Sequence, residues 1–304
     1  MKLLATCTGC SDIISVTHST SHSSSMAVST VLCNSHTLSL GSTVSVSLGF
    51  TTDTGVIQYG YVKSIERMIP DNTYRITIND VMTRAVDYFI AVADQDDVYE
   101  VDHIAAETLI ANVLGFAGIT NFGYQGTSFT FGINSKVRVD LVSSYDFCKQ
   151  IADILAWHLY ADTTGKIWFI DRKPYVMITD TSIGTITDTS IVTASYTVSE
   201  RDLRNRIVAR GTEGVHAEAS AVSPYLPAGF YKTVVIATEY LDETSNTQKS
   251  CDYNLILLNR LTESMQLTVL GNHNYLARSV MTVNSASLGI NSDWYIYGAE
   301  HNWG

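Results

Sequence analysis

SSYDFCKQIADILAWHLYADTTGKIWFIDRKPY, residues 143–175, reads as a capped amphipathic helix running into a β-hairpin. Phe147, Ile151, Ile154, Leu155 and His158 fall at i, i+4, i+7, i+8 and i+11, a single helical face. Ser143 with Asp146 three residues on resembles a capping box, with Asp in place of Glu or Gln. The helix then stops. Two runs, His158–Ala161 and Lys166–Ile170, flank the turn Asp162-Thr163-Thr164-Gly165, where Gly165 supplies the positive φ such turns need. No catalytic signature lies in this stretch, so the unit reads as architectural.

Outward from it, the 304 residues are enough for two or three modules, each with its own core. Apolar residues make up 45% and charged residues only 16%, with four prolines, while Ser, Thr, Val, Ile and Tyr abound. That balance excludes disorder for most of the chain and favours β-structure over helical bundles. A formal charge of −11 argues against a nucleic-acid binder, since phosphate contacts need clustered Lys and Arg. An acidic surface would instead let DNA pass nearby without sticking.

Five scattered cysteines (Cys7, Cys10, Cys33, Cys148, Cys251) do not form a secreted disulfide framework and point to assembly in a reducing cytosol. The opening MKLLATC has too short an apolar run for a signal segment, and Leu109–Ile119 is too short to span a bilayer. The expectation is a soluble chain without membrane insertion.

Residues 11–80 alternate in period two, with a turn at Asp53-Thr54-Gly55, and predict meandering strands of a small barrel or sandwich. Asp80 would cap a short helix to Tyr88, and Asp102 a second helix with Leu109, Ile110, Val113, Leu114 and Ala117 on one face, ending near Gly118. A third helix is expected over about Ser250–Glu263, with Tyr253, Ile256, Leu257 and Leu261 on one face. The predicted layout is a first β module (1–93), an α+β insert (94–175), a Thr/Asp-rich linker (176–194) and a second β module (195–304). Gly41–Val46 and Gly60–Arg67 are faintly echoed by Arg278–Val283 and Trp294–His301, as two copies of one barrel-like fold would be.

Candidate chemistry is sparse. Cys7-x-x-Cys10 is half of a zinc site without a second pair; His18, His22, Cys33 and His36 are unspecific completions. The acidic run from Asp94 to Asp102 fails the calcium-loop pattern, with Tyr99 and Ala105 where Gly and Glu are required. Nucleotide-binding and serine-nucleophile motifs are absent, and Glu300-His301 on a strand point to opposite faces. No metal, no cofactor and no enzymatic activity is therefore expected. Arg201, Arg204, Arg206 and Arg210, in SERDLRNRIVARG, form the basic cluster; interleaved with acids, it reads as ion pairing within or between chains.

The helix–hairpin unit, the SERDLRNRIVARG segment and the ending (Leu267–Asn272, Trp294-Tyr295-Ile296, Glu300-His301) together resemble phage tail hub proteins, the late-control protein D type and trimeric hubs of contractile tails. The resemblance covers residues 40–90 and 140–304. It implies two tail-tube-like β-barrel modules flanking a mixed helix/hairpin domain, mainly β with an α+β insert. It further implies a homotrimer whose six barrels form a pseudo-sixfold ring between a hexameric tail tube and a central spike, lining the DNA conduit. Partners would be the tail tube protein, the spike protein and the tape-measure or other baseplate proteins. Localisation would be the virion, after assembly in the host cytoplasm. Interface candidates are Arg201, Arg204, Arg206, Tyr231, Trp294 and Tyr295. The competing expectation is a carbohydrate- or receptor-binding β module without catalysis.

Overall fold

The alternating residues 11–80 do become strands. In the computed structural model, which describes residues 3–51 and 53–304, β1 (Leu3–Cys7) precedes them and they form β2 (Cys10–Ser21), β3 (Val28–His36), β4 (Thr43–Phe50), β5 (Asp53–Met68) and β6 (Thr73–Asp80). They form an antiparallel sheet in the order β1-β4-β5-β6-β3-β2. Val16, Val31, Val44, Val46, Ile76 and Ile78 point to its inner face and are almost fully buried. Register shifts at Val46/Ser47, Val62/Ser64 and Ile13/Ser15 bend these strands, as bulges do, and the sheet curls into a half-barrel. Gly60 is required where β5 meets β6, since a Cβ there would lie 1.9 Å from the Asn79 carbonyl oxygen.

The seventh strand of this sheet comes from the far end of the sequence. Gly298–Trp303 pairs antiparallel with β2, Val16 opposite Trp303 through Ser21 opposite Gly298. This segment was expected in the second β module; it completes the edge of the first sheet instead. Nothing local in Glu300-His301 encodes that partner, because strand pairing over such a separation is decided by what the rest of the fold brings near.

Among the described residues four α-helices follow: α1 (Thr83–Asp87), α2 (Ala106–Phe116), α3 (Ser144–Ile154) and α4 (Thr244–Leu258). Ser143 caps α3 as expected, its Oγ accepting from the Asp146 N–H at 3.0 Å and donating to the Asp146 carboxylate at 2.7 Å. Asp80 accepts from the Met82 N–H at 2.9 Å at the entrance of α1, and also from the Ala27 N–H at 2.7 Å. Asp102 does not cap α2: the N-cap is Ala105, and the Ala106 N–H is satisfied by the Phe129 carbonyl at 3.1 Å. α2 and α3 bury Leu109, Ile110, Leu114, Phe147, Ile151 and Leu155 in one core with Phe129, Phe131 and Phe169.

The hairpin expected after α3 is present: His158–Ala161 pairs antiparallel with Ile167–Ile170, and Phe122–Tyr124 adds a parallel third strand. Gly165 has φ +81, and a Cβ there would meet the Tyr59 ring at 2.3 Å, so the turn seats directly on the first sheet.

α4 begins and ends earlier than the expected Ser250–Glu263, so Leu261 falls outside it. Tyr253 packs against the core as expected, but most of the buried face is different. Its buried face is Asn246, Thr247, Ser250, Cys251 and Asn254, while Ile256 is 61% exposed. The reason is what the helix covers. Ser250 Oγ and Asn254 Nδ2 donate to the Ile154 carbonyl at 2.8 and 3.3 Å, satisfying the open C-terminal end of α3. α4 also covers a small sheet in which Arg206–Arg210 lies between His216–Ser220 (antiparallel) and Thr233–Ala237 (parallel). Its inward Ile207, Ala209, Ala217 and Ala219 join the same core as α2 and α3.

The remaining strands build a third unit. Ser182–Thr187 pairs parallel with Val280–Ser285, which pairs antiparallel with Ile290–Tyr295; Ile191–Ser199 forms a ribbon with Thr262–Val269. Ile186, Met281 and Val283 are its buried centre. Residues 176–194 thus contribute strand and a 3-10 turn to it rather than only passing between modules. Both segments of the internal echo fall on antiparallel hairpins, Thr43 opposite Tyr61 and Val280 opposite Tyr295.

Candidate functional site

The segment after Ser199 is pinned before it becomes a strand. Leu203 is fully buried, and Asn205 bridges two chain segments: its Nδ2 donates to the Phe230 carbonyl at 3.0 Å and its Oδ1 accepts from the Lys232 N–H at 2.8 Å. From there period-two alternation sends Ile207 and Ala209 inward and leaves Arg206, Val208 and Arg210 outside. With His216, Glu218, Thr233 and Val235 they line an open concavity of about 660 Å³. Both flanking strands are sheet edges, and Phe230, Tyr231 and Val235 are each more than half exposed beside them.

Two of the predicted arginines, Arg204 and Arg206, bind their own chain. Arg206 pairs with Glu218 at 2.6 Å and stacks over the Tyr231 ring at 5.7 Å; the Glu218 carboxylate raises its pKa. Arg204 Nη1 donates to the Arg201 and Leu203 carbonyls at 2.9 and 2.8 Å. Arg201 is exposed. Arg204, Arg206 and Tyr231 lie around this sheet, with Arg201 just before it. Trp294 and Tyr295 sit on a different strand. Trp294 meets Tyr196 edge-on at 5.8 Å, beside the ribbon whose Val192, Tyr196 and Val198 face solvent.

Tyr295 belongs to a polar junction that sequence reasoning missed. Arg278, with φ +77, donates Nε–H to His158 Nε2 at 2.9 Å and Nη2–H to the Ser21 carbonyl at 2.9 Å, and lies over the Tyr160 ring at 4.7 Å. His22 stacks on His158 at 3.8 Å and is hydrogen bonded to the Tyr295 hydroxyl at 2.6 Å. Arg172 covers the other part of the Tyr295 ring at 4.4 Å and pairs with Asp180 at 3.1 Å. One guanidinium thus joins β2, the hairpin after α3 and the third unit. Burial, then the charges of Arg278 and Arg172, hold His22 down at about 4. Burial, then the neighbouring His22 and Arg278, holds His158 lower still, and burial lowers Arg278 itself. Each is a buried base whose charged form is disfavoured. The only signals in the sequence were a His at a strand start and a lone Arg before an alternating run, neither of which names a partner.

Next to the junction is a cavity of about 240 Å³ reached by His18, Thr20, Gln58, Asp80, Tyr160 and Arg278. Gln58 Nε2 donates to the Ala27 and Ile78 carbonyls, both at 3.1 Å, which turns its Oε1 toward His18 Nδ1 at 3.1 Å. His18 therefore carries its proton on Nδ1. Burial pushes Asp80 up to about 6 against the bonds it accepts from Ala27 and Met82.

The acidic run opens with a 3-10 turn over Gln95–Asp97, Asp94 accepting from the Asp96 N–H at 3.0 Å, and continues into a strand, Tyr99–Val101. Among the described residues no three or more His, Cys, Asp or Glu side chains are grouped to hold a metal ion. No described helix is long and apolar enough to cross a membrane.

No protein-family model matches the chain, and no curated protein matches its sequence. Solved structures do share its fold. The tail protein from Neisseria meningitidis MC58 superposes with a TM-score of 0.69 at 10% identity, covering 99% of this chain and 92% of that one. The 43 kDa tail protein of prophage MuSo2 from Shewanella oneidensis gives 0.68 at 12% identity, covering 99% and 94%. Prophage tail protein gp18 from Listeria monocytogenes EGD-e gives 0.59 at 14% identity, covering 94% and 83%.

Proposed function

We propose that the chain is a structural phage tail protein, the baseplate hub, which assembles through contacts between copies and catalyses no reaction. The observation that carries this reading is the fold shared, over nearly its whole length, with a tail protein and two prophage tail proteins. Three features of the chain support it. The sheet built around Arg206–Arg210 ends in two unpaired edges flanked by exposed Phe230, Tyr231 and Val235. The ribbon of Ile191–Ser199 and Thr262–Val269 presents Val192, Tyr196 and Val198 to solvent. The net charge of −11 suits a wall past which DNA moves without binding.

In this reading three copies close a pseudo-sixfold ring from their two β units each. The ring joins the hexameric tail tube to the central spike, touches the tape-measure protein, and lines the conduit of a virion assembled in the host cytoplasm. Closed rotational symmetry satisfies the open edges without generating filaments. Mass photometry and negative-stain electron microscopy of the purified chain test it. A species of three 33.4 kDa protomers with a central channel is expected. A protein that stays monomeric at all concentrations, and binds glycans on an array, would overturn the hub in favour of a receptor-binding module.

A further inference from the structure

The link between β1 and β2 is the tightest available. Thr8 and Gly9 form a turn, with Gly9 at φ +80, so Cys7 and Cys10 are its first and fourth residues. The first and fourth Cα atoms of such a turn are less than about 7 Å apart, within the span a disulfide bridges. Both side chains lie at the inner face of the first sheet, Cys7 buried and Cys10 half-buried, with buried Cys33 of β3 beside them. All three are free thiols, whereas Cys148 and Cys251 are each buried alone in the helical core.

We propose that Cys7 and Cys10 are a redox-active dithiol that closes to a disulfide by exchange with a small-molecule disulfide of the glutathione class. The electrostatics agree with the geometry. A hydrogen bond from the Cys10 thiol lowers Cys7 below its ordinary value despite burial, and raises Cys10 in turn. Burial and the neighbouring Cys10 push Cys33 up to about 12, so it stays a thiol.

The pair thus loses its first proton at Cys7. Transfer of the Cys10 proton along the shared hydrogen bond places the charge on the more exposed sulfur. The Cys10 thiolate attacks one sulfur of the small disulfide; that S–S bond breaks and one thiolate leaves. Cys7, deprotonated in turn, attacks the Cys10 sulfur of the mixed disulfide, forming the Sγ–Sγ bond and releasing the second thiolate. The two cysteine protons end on the two released thiols, so the small disulfide is reduced by the two electrons the protein gives up. The closed loop is very short, so the link gains little chain-entropy stabilisation. Its consequence is to fix the turn that holds β1, an edge strand.

The test is incubation of the native full-length chain with oxidised glutathione, alkylation of the remaining thiols in denaturant, and cleavage before aspartate. Cleavage at Asp12 separates a peptide holding Cys7 and Cys10 from the one holding Cys33. The expected result is the first peptide unalkylated and two hydrogens lighter, with Cys33, Cys148 and Cys251 alkylated. The Cys7→Ser variant should instead retain glutathione on Cys10. Alkylation of both Cys7 and Cys10, or a Cys10–Cys33 cross-link joining the two peptides, would overturn the proposal. The assay reads sulfur chemistry alone, so its outcome is independent of whether the protein forms a ring.

Discussion

Arg278 Nε donates to His158 Nε2 across 2.9 Å, joining two residues 120 positions apart that belong to different units of the fold. The same guanidinium donates to the Ser21 carbonyl at 2.9 Å, so a single side chain ties three segments that share no continuous sheet. Buried arginines are tolerated only when such partners are supplied.

Replacing Arg278 with Ala strands the His158 Nε2 acceptor in a buried site, while the Ser21 carbonyl keeps its bond from the Ser24 hydroxyl at 3.0 Å. A loss of about 2–4 kcal/mol in unfolding free energy is expected, from the cost of unsatisfied buried groups. Arg278 also has φ +77, a conformation only glycine adopts freely. Arg278→Gly should therefore be less destabilised than Arg278→Ala, by about 1 kcal/mol. Urea denaturation of the two variants checks the order; equal midpoints would mean that the backbone there relaxes.

Acid should loosen the same junction. His18 and His22 are held at about 4, and His158 and His301 also lie below their ordinary 6.5, in every case chiefly by burial. The unfolded chain thus binds more protons than the folded one between pH 6.5 and 4. The stability these groups contribute is complete above 6.5 and drains away as pH falls through that window. Asp80, raised to about 6, works in the opposite direction and offsets one of them. Arg278, Arg172 and Lys149 all disfavour charging of the stacked pair. A urea midpoint that drops steadily from pH 6.5 to 4, and drops less in His158→Gln, is expected; a flat profile would remove the histidines from the account.

Ser143 is a local cap on a helix that several surfaces use. Ser143→Ala should cost about 1 kcal/mol, the usual value for an N-cap hydroxyl. Ser143→Thr, which keeps a hydroxyl that accepts from the Asp146 N–H and donates to the Asp146 carboxylate, should recover most of it. Thermal unfolding of the three proteins measures this.

If the proposed ring closes through the exposed edge of the Arg206 sheet, assembly and stability separate there. Val235 is 54% exposed and Tyr231 51%, so Tyr231→Ala with Val235→Asp removes no core packing. The far-ultraviolet circular dichroism and melting temperature should stay near those of the parent, while the mass distribution shifts to monomer. Retention of the full assembly by this double variant would place the contacts elsewhere on the protein.

Legibility tracked how local the determining interaction was. Ser143, Phe147, Ile151 and Gly165 act within one helix and one turn, and their pattern announced both. α4 misled because its buried face is polar: Ser250 and Asn254 serve the Ile154 carbonyl about a hundred residues away, a demand invisible in their own neighbourhood. Asp102 resembled a cap, yet the Phe129 carbonyl had already taken the Ala106 N–H. His22, His158, Tyr295 and Arg278 could be found only once three units were placed against one another. Of the arginines read as ion-pairing, Arg206 pairs with Glu218 across neighbouring strands, whereas Arg204 binds backbone carbonyls.

The pairing of Val16–Ser21 with Gly298–Trp303 carries a mechanical consequence. A protease that nicks an exposed loop between them yields two polypeptides still zipped along a shared ladder, with the central cores bridging them as well. Cleavage would show on a denaturing gel and stay silent in a sizing column. The molecule behaves in this respect like a clasped belt, where a cut through the strap does not open the buckle.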